Sequence, residues 1–383
     1  MTHLLGAVSA RSDGGRSVVT LNLGVAFAQL GRRTVLTDLG TSGFRHLLGL
    51  SGDAKGVREF ISHECRSLNL LVHPSPVPNL SILGPGPCTN GAGASAGGPA
   101  PLVCPQDQRA RLMRALGELE ADFVLADFGT HLDDHAADFF STMNGGILAV
   151  SADPDEIVRS YEFLKRVVTK TIRRRLGPDS ETAAVLALNE RGGNGTHAPN
   201  MESIIELVRS RDRDEAGIIE EICESFAPLL IMEAGQTVRD TELGEKLRII
   251  CRRFLSIRLE RLGLIYGDAA GDSARGNKGP VVAVYAPNSR TGVAMRRIAH
   301  KCFQSQTFRN ARQYAARIEA GVPQPQPGAL NAAAKSLLDR IVRREISEVE
   351  WHLSRAEHEL QRPLHLPTRQ PVSGTRPQRG NER

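Results

Sequence analysis

Short apolar runs alternate along most of the chain with longer stretches in which apolar residues recur every three or four positions. The short runs have the length of strands, and the longer stretches have the period of amphipathic helices. Strands that alternate with helices are typical of a parallel sheet covered by helices on both faces. We therefore predict an α/β fold built on a doubly wound, mostly parallel sheet. The predicted strands are residues 4–9, 34–38, 80–83, 123–127, 146–151, 229–232 and 281–285.

Segments rich in Gly, Pro and Ser divide this pattern. Residues 84–105 and 190–200 are predicted to be flexible surface inserts within one domain that spans residues 1–321. Residues 322–328 form a Pro-rich linker that ends this domain, because repeated prolines interrupt both helices and strands.

Beyond the linker, residues 329–361 carry an apolar stripe at helical spacing and predict an amphipathic helix, followed by a basic disordered tail at 362–383. The helix is long and mixed in charge, whereas helices that lie on membranes are usually strongly basic on one face. Packing on the domain or on a partner helix is therefore the expected use of this helix.

The charge of the chain is concentrated at its end. The 383 residues carry a net charge of +5, and the five Arg and one Glu of residues 361–383 account for four of these charges. A strongly basic, nucleic-acid-binding body is therefore not indicated. The tail itself could contact DNA or the surface of a membrane.

Cysteine usage and hydropathy point to the cytoplasm. The six cysteines show no metal-ligand spacing and predict buried or free thiols. We see no signal peptide and no long uncharged apolar run, so we expect a cytoplasmic protein with no transmembrane segment.

Residues 10–17 stand where a phosphate-binding loop would stand, between the first predicted strand and an apolar helix at 18–30. A loop of the form G-x-x-x-x-G-K-[ST] binds phosphates through backbone N–H groups and a Lys, and its hydroxyl residue binds Mg²⁺. In this register Ala10 replaces the first Gly, Arg16 replaces the Lys, and Ser17 keeps the hydroxyl. The strand and the helix that flank the motif are therefore present, but its phosphate-binding residues are altered. We interpret residues 10–17 as a degenerate Walker A motif.

The run NLGVAFAQLGRRTVLTD at residues 22–38 resembles the NLGxALAQLGKRVLLxDAD segment of the MinD/ParA ATPases, a family of P-loop proteins in the SIMIBI class. The alignment sets residues 11–17 against the family's loop KGGVGKT. The resemblance implies ATP or ADP with Mg²⁺ as ligand, and it implies Ser17 and Asp127 as the Mg²⁺ ligands. It also implies that the nucleotide is held by Arg11, Gly14, Gly15, Arg16, Ser17, Val18 and Glu233.

Four positions depart from the family. Asp13 replaces a Gly and places a carboxylate where phosphates would repel it. The broad guanidinium of Arg16 fits a tight phosphate cradle less well than an ammonium group. Gly40 replaces the Asp that orients the attacking water, so Asp38 is the retained acid at the catalytic strand end. Glu233 replaces an Asn that reads adenine, and an ionised carboxylate cannot donate as an amide does.

Further segments resemble the FlhG-like branch of this family, which includes regulators of flagellar number. The resemblance covers about residues 4–304, and its order and spacing make it specific. It implies a homodimer with protein partners that acts in the spatial regulation of flagella, division sites or cargo, in the cytoplasm or peripherally at the inner membrane. The segments are residues 127–140, 150–155, 240–247, 262–268 and 285–289.

Three functional hypotheses remain open. The first is a non-hydrolysing or weakly nucleotide-binding member that acts by dimerisation and partner binding, and the altered loop, Gly40 and Glu233 favour it. The second is a divergent ATPase that uses Arg16, Ser17 and Asp127 with Mg-ATP. The third is an adaptor on DNA or a membrane surface that acts through the basic tail.

Several charged residues have alternative interpretations. Arg16, Asp38, Asp127 and Glu233 lie at strand ends and are expected to converge at one edge of the sheet. Arg11 or Arg16 could instead pair with Asp13 or Asp127 and close the site. His131, Asp133, Asp134 and His135 resemble a metal cluster, but a solvated helix start is the preferred interpretation. A basic stripe is predicted to be a solvated helix face; it comprises Lys165, Arg166, Lys170, Arg173, Arg174 and Arg175.

Overall fold

The computed structural model describes most of the chain up to residue 305. The described residues are 2–9, 16–39, 44, 48, 54–87, 104–128, 132–143, 145–177, 180–191, 200–234, 239–266 and 281–305. The amphipathic helix predicted at 329–361, the linker and the tail lie outside these residues, and they stay predictions.

Eight strands of the described residues form one sheet in the order β3-β4-β2-β5-β1-β6-β7-β8. Every neighbouring pair is parallel except β3 and β4, which are antiparallel at one edge. The predicted mostly parallel sheet is therefore confirmed. The strands are β1 (His3–Ser9), β2 (Thr34–Asp38), β3 (His73–Pro74), β4 (Leu80–Leu83), β5 (Phe123–Asp127), β6 (Gly145–Ser151), β7 (Leu229–Ala234) and β8 (Glu260–Tyr266).

Helices connect the strands and cover both faces of the sheet. Among the described residues, a 3₁₀ turn also occurs at Leu68–Leu71. The helices are α1 (Arg16–Gln29), α2 (Val57–Ile61), α3 (Gln106–Gly117), α4 (Asp134–Phe140), α5 (Pro154–Leu176), α6 (Glu181–Arg191), α7 (Met201–Arg209), α8 (Arg213–Ser225), α9 (Arg239–Leu255), α10 (Val282–Tyr285) and α11 (Arg290–Gln304). None of the described helices is long and apolar enough to cross a membrane.

Two apolar clusters define the two layers. One cluster joins α1, α10 and α11 to one face of the sheet, which we call the α1 face. The other cluster joins α2 to α9 to the opposite face. Strand residues alternate between them, as Leu4 and Leu5 of β1 do, because successive side chains of a strand point to opposite faces. The doubly wound arrangement is thus confirmed.

One predicted strand is wrong. Residues 281–285 lie next to α1, and Val282–Tyr285 form the helix α10. A short apolar run has the same appearance in a buried strand and in a buried helical turn, so periodicity could not separate the two. The edge of the sheet is formed instead by β8, whose chain pairs with β7 through an irregular register near Leu230 and Ile231.

The ends of both predicted inserts lie among the described residues. In the first, the carbonyls of Gly84 and Pro85 accept hydrogen bonds from the backbone N–H groups of Val57 and Arg58, at 3.0 and 2.9 Å. These bonds fix the start of the insert on α2. In the second, α6 extends to residue 191, and the side chain of Asn200 caps α7. Residues 88–103 and 192–199 lie outside the described residues.

Close packing brings α1 onto the sheet at Gly24. A Cβ atom placed on Gly24 would lie 2.6 Å from Cδ2 of Leu36, a fully buried residue of β2. Real Cβ atoms do not approach other carbon atoms so closely. The absence of a side chain at Gly24 therefore sets the distance between α1 and β2.

The variant Gly24→Ala should lower the free energy of unfolding by about 1–2 kcal/mol, because overpacking a core outweighs the gain in helix propensity. The matched control is Gly217→Ala in α8, where a new Cβ meets nothing within 4 Å. That control should raise stability by about 0.5–1 kcal/mol. Urea unfolding measures both effects, and a stabilising effect of both variants would contradict the packing described for Gly24.

A buried amide holds α10 against α1. The side chain of Asn22 is fully buried, accepts a hydrogen bond from the N–H group of Ala283 at 2.8 Å, and donates to the carbonyl of Val18 at 2.7 Å. About two helical turns further along, on the same face, Nε2 of Gln29 donates to the carbonyl of Ala283 at 3.0 Å. Two side chains of α1 thus bind both polar groups of one peptide segment.

We expect Asn22→Ala to cost about 2–3 kcal/mol of stability, because it leaves the buried N–H group of Ala283 without this acceptor. Gln29→Ala is the matched control on the same helix, and it should cost about 1 kcal/mol or less because Gln29 is exposed and water can replace it. Thermal or urea unfolding would show the difference. Equal costs would mean that burial of the Asn22 contact contributes nothing.

Candidate functional site

Two buried carboxylates lie side by side at the carboxyl edge of the sheet. Asp38 ends β2, Asp127 ends β5, and the two residues are direct partners in the register of these parallel strands. They are 1% and 2% exposed. Each follows a leucine of the α1 face by two positions, Leu36 in β2 and Leu125 in β5, so both aspartates belong to that face. Neighbouring strands are about 4.8 Å apart.

The backbone around the pair is well fixed. The N–H group of Leu39 donates to the carbonyl of Asp127 at 2.9 Å, and the N–H group of Phe128 donates to the carbonyl of Ala7 at 3.0 Å. Hydrogen bonding between β2, β5 and β1 therefore continues up to the carboxylates and just beyond them. Their positions follow from the register of three strands rather than from loops.

A small cavity of about 10 Å³ adjoins Asp127 beneath the first turns of α1. This volume suits about one water molecule. Its lining is mostly apolar, so the carboxylate of Asp127 is the charged group in its wall. The lining residues are Ala7, Val8, Ser9, Val19, Thr20, Leu23, Asp127, Ile147 and Ala149.

The helix α1 begins at the same edge. It starts at Arg16, seven residues after β1 ends at Ser9, and runs back along the α1 face. The N-terminus of a helix presents free N–H groups and a partial positive charge, which suit a phosphate. Of the predicted loop, Arg11, Gly14 and Gly15 lie outside the described residues, and so do the side chains of Arg16 and Ser17. Their predicted roles stay predictions, and Val18 is half-buried in the first turn.

The pair of carboxylates fits a divalent cation. Two buried carboxylates at this separation repel each other, and a bound cation would offset that repulsion. Carboxylate oxygens are the ligands that Mg²⁺ prefers. Asp127, with Asp38 beside it, therefore provides a donor set appropriate for the Mg²⁺ that the sequence resemblance implies.

Glu233 lies at the same edge but apart from the pair. In the strand register, Asp127 of β5 is the partner of Ala7 in β1, Ala7 is the partner of Ile147 in β6, and Ile147 is the partner of Leu229 in β7. Leu229 lies four residues before Glu233 in the same strand. Four strand residues and three strand spacings place the Cα atoms of Glu233 and Asp127 about 19 Å apart. The expected convergence is therefore found for Asp38 and Asp127. Glu233 lies at the same edge of the sheet but does not join them.

The helix α4, which follows β5, carries an ionic cluster that sequence reasoning did not find. Asp138 accepts hydrogen bonds from Arg109 at 2.9 Å and Lys170 at 3.0 Å, and Arg174 lies 3.8 Å away. The side chains of Arg109 and Lys170 are only 10% and 16% exposed. The three cations are far apart in sequence from Asp138, so no local pattern indicated this contact.

The prediction that the basic stripe is a solvated helix face is partly wrong. Lys170 and Arg174 contact Asp138, and Arg166 pairs with Asp134 at 3.2 Å. These cations join α5 to α4 because a buried charge needs a partner.

The suggested metal cluster has a structural explanation. Asp133 is the N-cap of α4 and accepts a hydrogen bond from the N–H group of Ala136 at 2.9 Å. Asp134 follows in the first turn and is bound by Arg166 and Lys170. Within the described residues no group of three or more His, Cys, Asp and Glu side chains is placed to hold a metal ion. His131 lies outside those residues. The predicted helix start is confirmed.

The cysteines that the structure describes are free thiols, as predicted. Burial raises the pKa of Cys223 and of Cys251 to about 12, because a thiolate is poorly solvated among apolar side chains. These thiols therefore stay protonated at neutral pH and unreactive.

Asp138→Asn should cost about 2 kcal/mol of stability, because removing one charge leaves the partly buried cations Arg109 and Lys170 uncompensated. Glu245→Gln is the control: its partners Arg248 and Arg261 are about 40% exposed, so the cost should be below about 1 kcal/mol. Urea unfolding at neutral pH compares the two. A loss of similar size in both variants would argue against a special role for burial at Asp138.

Comparisons with known proteins give limited likenesses. No family model matches the chain. A putative septum site-determining protein MinD of Guillardia theta is 37% identical over 86 residues, which are 22% of this chain and 32% of the relative. The chain thus matches about a third of the length of this curated relative.

The solved structures that are similar over most of the chain, at low identity, include a MinD protein and a ParA family ATPase. One is the septum site-determining protein MinD complexed with Mg-ADP from Pyrococcus horikoshii OT3, with a TM-score of 0.46, 14% identity, and 79% of this chain and 96% of that chain covered. The other is a ParA family ATPase from Chlorobium tepidum TLS, with a TM-score of 0.45, 13% identity, and 78% and 98% covered. TM-scores below 0.5 do not establish a function for this chain, and the fold assignment rests on the strand order and register.

Proposed function

We propose that the chain is a MinD/ParA-like P-loop protein that binds a Mg²⁺–nucleotide weakly and hydrolyses it slowly or not at all. The observation that carries this proposal is the pair of buried, in-register carboxylates Asp38 and Asp127 at the strand edge where α1 begins. An acidic pair beside a helix N-terminus is suited to a cation that is itself bound to phosphates.

Each residue of this edge has a distinct task in the proposal. Asp127 and Ser17 would hold Mg²⁺, which neutralises phosphate charge when bound. The N–H groups of the first turn of α1 and the side chain of Arg16 would bind the phosphates. Val18, which is half-buried in that turn, would contribute to binding the nucleotide through its backbone N–H group. Asp38 would fix the orientation of groups around the cation through its buried carboxylate.

We expect slow hydrolysis because residues at this edge of the sheet differ from those that would support catalysis. Gly40 has no side chain that could orient an attacking water, and Asp13 would repel the phosphates. General-base or water-positioning groups contribute typically 10²–10⁴-fold to such reactions. The nucleotide would therefore act as a bound effector rather than as a consumed substrate.

The biological role in this proposal comes from the sequence resemblance. The run at residues 22–38 and the 86-residue match to a putative septum site-determining protein support a MinD/ParA-like assignment. The FlhG-like segments point to spatial regulation of flagellum number, division site or cargo position. In such a role the protein would form a homodimer and bind protein partners, in the cytoplasm or peripherally at the inner membrane.

A second candidate function is a working, divergent ATPase. The same observation favours it in part, because Asp38 and Asp127 are both retained and juxtaposed. Arg16 would then replace the loop Lys, and Ser17 and Asp127 would hold Mg²⁺. The adaptor hypothesis depends on the basic tail, which lies outside the described residues.

Fluorescent ATP and GTP analogues should be titrated against the full chain with Mg²⁺ and with EDTA. We expect weak saturable binding that depends on Mg²⁺ and falls at least tenfold in Asp127→Asn, because loss of one carboxylate weakens the cation site. Arg16→Ala should also weaken binding. Asp122→Asn is the matched control, since Asp122 directly precedes β5 at the opposite edge and pairs with Arg33.

The outcomes separate the hypotheses. No binding of either analogue would refute the nucleotide-binding proposal. Phosphate release by the wild-type chain that is lost in Asp38→Asn would instead establish the divergent ATPase. Binding that Asp127→Asn leaves unchanged would remove the acidic pair from the site.

A further inference from the structure

The outer side of α9 carries exposed cations around an exposed isoleucine. Ile249 is 63% exposed, and Arg252 and Arg253 follow it by three and four residues, so they lie beside it one turn further along the helix. Lys246 lies beside it one turn earlier. All three cations are exposed, and none of them forms an ion pair with another described residue. We call these four residues the basic patch.

The excess of positive charge continues past the end of α9 to the amino edge of the sheet. Arg258 is exposed between α9 and β8, and it too forms no ion pair with a described residue. The chain is fixed on both sides of it, because the N–H group of Ile257 donates to the carbonyl of Cys251 at 3.4 Å and that of Glu260 donates to the carbonyl of Pro228 at 2.9 Å. Unpaired cations that are held close together repel each other, so this surface fits an anionic partner.

The exposed isoleucine favours a polypeptide as the partner. A nucleic acid presents phosphates to a cationic surface, and phosphates gain nothing from an apolar side chain between the cations. Protein interfaces instead place apolar contacts at their centre and are enriched in Arg, which binds a carboxylate through two parallel hydrogen bonds. A helix with carboxylates on both sides of an apolar stripe would therefore match Ile249 and the cations that flank it.

The chain itself contains such a segment within the amphipathic helix predicted at 329–361. Residues 345–360 carry five Glu and one Arg, which gives this segment a net charge of −4. At 3.6 residues per turn, Glu350 and Glu357 border the apolar stripe of the predicted helix on one side, and Glu345 borders it on the other. The stripe of this segment is formed by Ile346, Val349, Leu353 and Leu360.

The chain leaves the described domain at the edge where the basic patch lies. Phe303, in the last turn of α11, stacks on Phe123, the first residue of β5, with ring centroids 5.1 Å apart. The helix α11 therefore ends at the amino edge of the sheet, as α9 does before β8 begins. Forty residues separate Ser305 from Glu345, and a flexible chain of that length spans roughly 35 Å. The acidic segment can thus reach the patch at a high effective concentration.

We propose that residues 345–360 dock on the basic patch of their own domain. The apolar stripe of the segment covers Ile249, and its glutamates pair with Arg252 and Arg253. The contact neutralises cations that have no ion pair within the described residues and removes an apolar side chain from water. It is independent of the proposed nucleotide site, because the patch extends to the amino edge of the sheet and the acidic pair lies at the carboxyl edge.

The test uses the fluorescence anisotropy of Trp351, the one tryptophan of the chain, which lies within the acidic segment. In the full chain the anisotropy should be high at low ionic strength and fall on addition of about 0.5 M NaCl, because salt screens exposed charges. The double variant Arg252→Glu/Arg253→Glu should weaken docking about tenfold or more and lower the anisotropy, because attractive charge pairs become repulsive.

A charge swap and a matched control complete the experiment. Glu350→Arg/Glu357→Arg alone should also lower the anisotropy, and its combination with Arg252→Glu/Arg253→Glu should restore it. The control is Arg66→Glu/Arg114→Glu, which reverses two exposed arginines in the segments before β3 and β5 and should leave the anisotropy unchanged. Circular dichroism establishes that each variant is folded, and the variant in the segment does not alter the described domain.

Each outcome decides the proposal. Anisotropy that both double variants lower and the charge swap restores supports docking on the patch. Anisotropy that neither salt nor the variants change would overturn it. A signal that rises with protein concentration would overturn docking within one molecule and assign the patch to a second copy of the chain. Binding of a DNA duplex that only the patch variant loses, with Trp351 unaffected in every variant, would assign the patch to nucleic acid instead.

Discussion

The register of the parallel strands β2, β5 and β1 is the constraint on which the rest of the site depends. It makes Asp38 and Asp127 direct neighbours, and it aligns them with the end of β1, from which the chain passes toward α1. A slip of one residue would move either carboxylate to the opposite face of the sheet. The hydrogen bonds from Leu39 to Asp127 and from Phe128 to Ala7 oppose such a slip at the strand ends themselves.

Packing of α1 completes this arrangement. The missing side chain at Gly24 lets the helix approach β2, and Asn22 holds α10 against its outer side. Both residues belong to the run that resembles the MinD/ParA proteins, and both act in the structure through packing. A motif that is read as a signature of nucleotide binding thus also contains residues whose task is to position the helix. This explains how the scaffold can persist while the loop residues before it change.

The described residues place charged side chains at three separate positions near the carboxyl edge of the sheet and on the helices that follow it. At one end the buried carboxylates Asp38 and Asp127 lie side by side, and carboxylate oxygens are ligands that Mg²⁺ prefers. About 19 Å away, Glu233 lies near the carboxyl end of β7, beside Ser151 of β6. Between α4 and α5, a third set of charges serves structure only, because Asp138 compensates cations that burial would otherwise penalise. The same residue types therefore have different roles according to their burial and to the charged groups that contact them.

The sequence alone determined the layer architecture, six of the eight strands, the strand-end positions of Asp38 and Asp127, and the helix start at Asp133. These follow from local periodicity, turn residues and capping, which depend on neighbours along the chain. Only the tertiary structure decided that 282–285 form a helix, that β8 forms the edge, that Glu233 lies far from the acidic pair, and that Arg109 and Lys170 meet Asp138. Each of these depends on contacts between residues distant in sequence, and periodicity carries no information about such contacts.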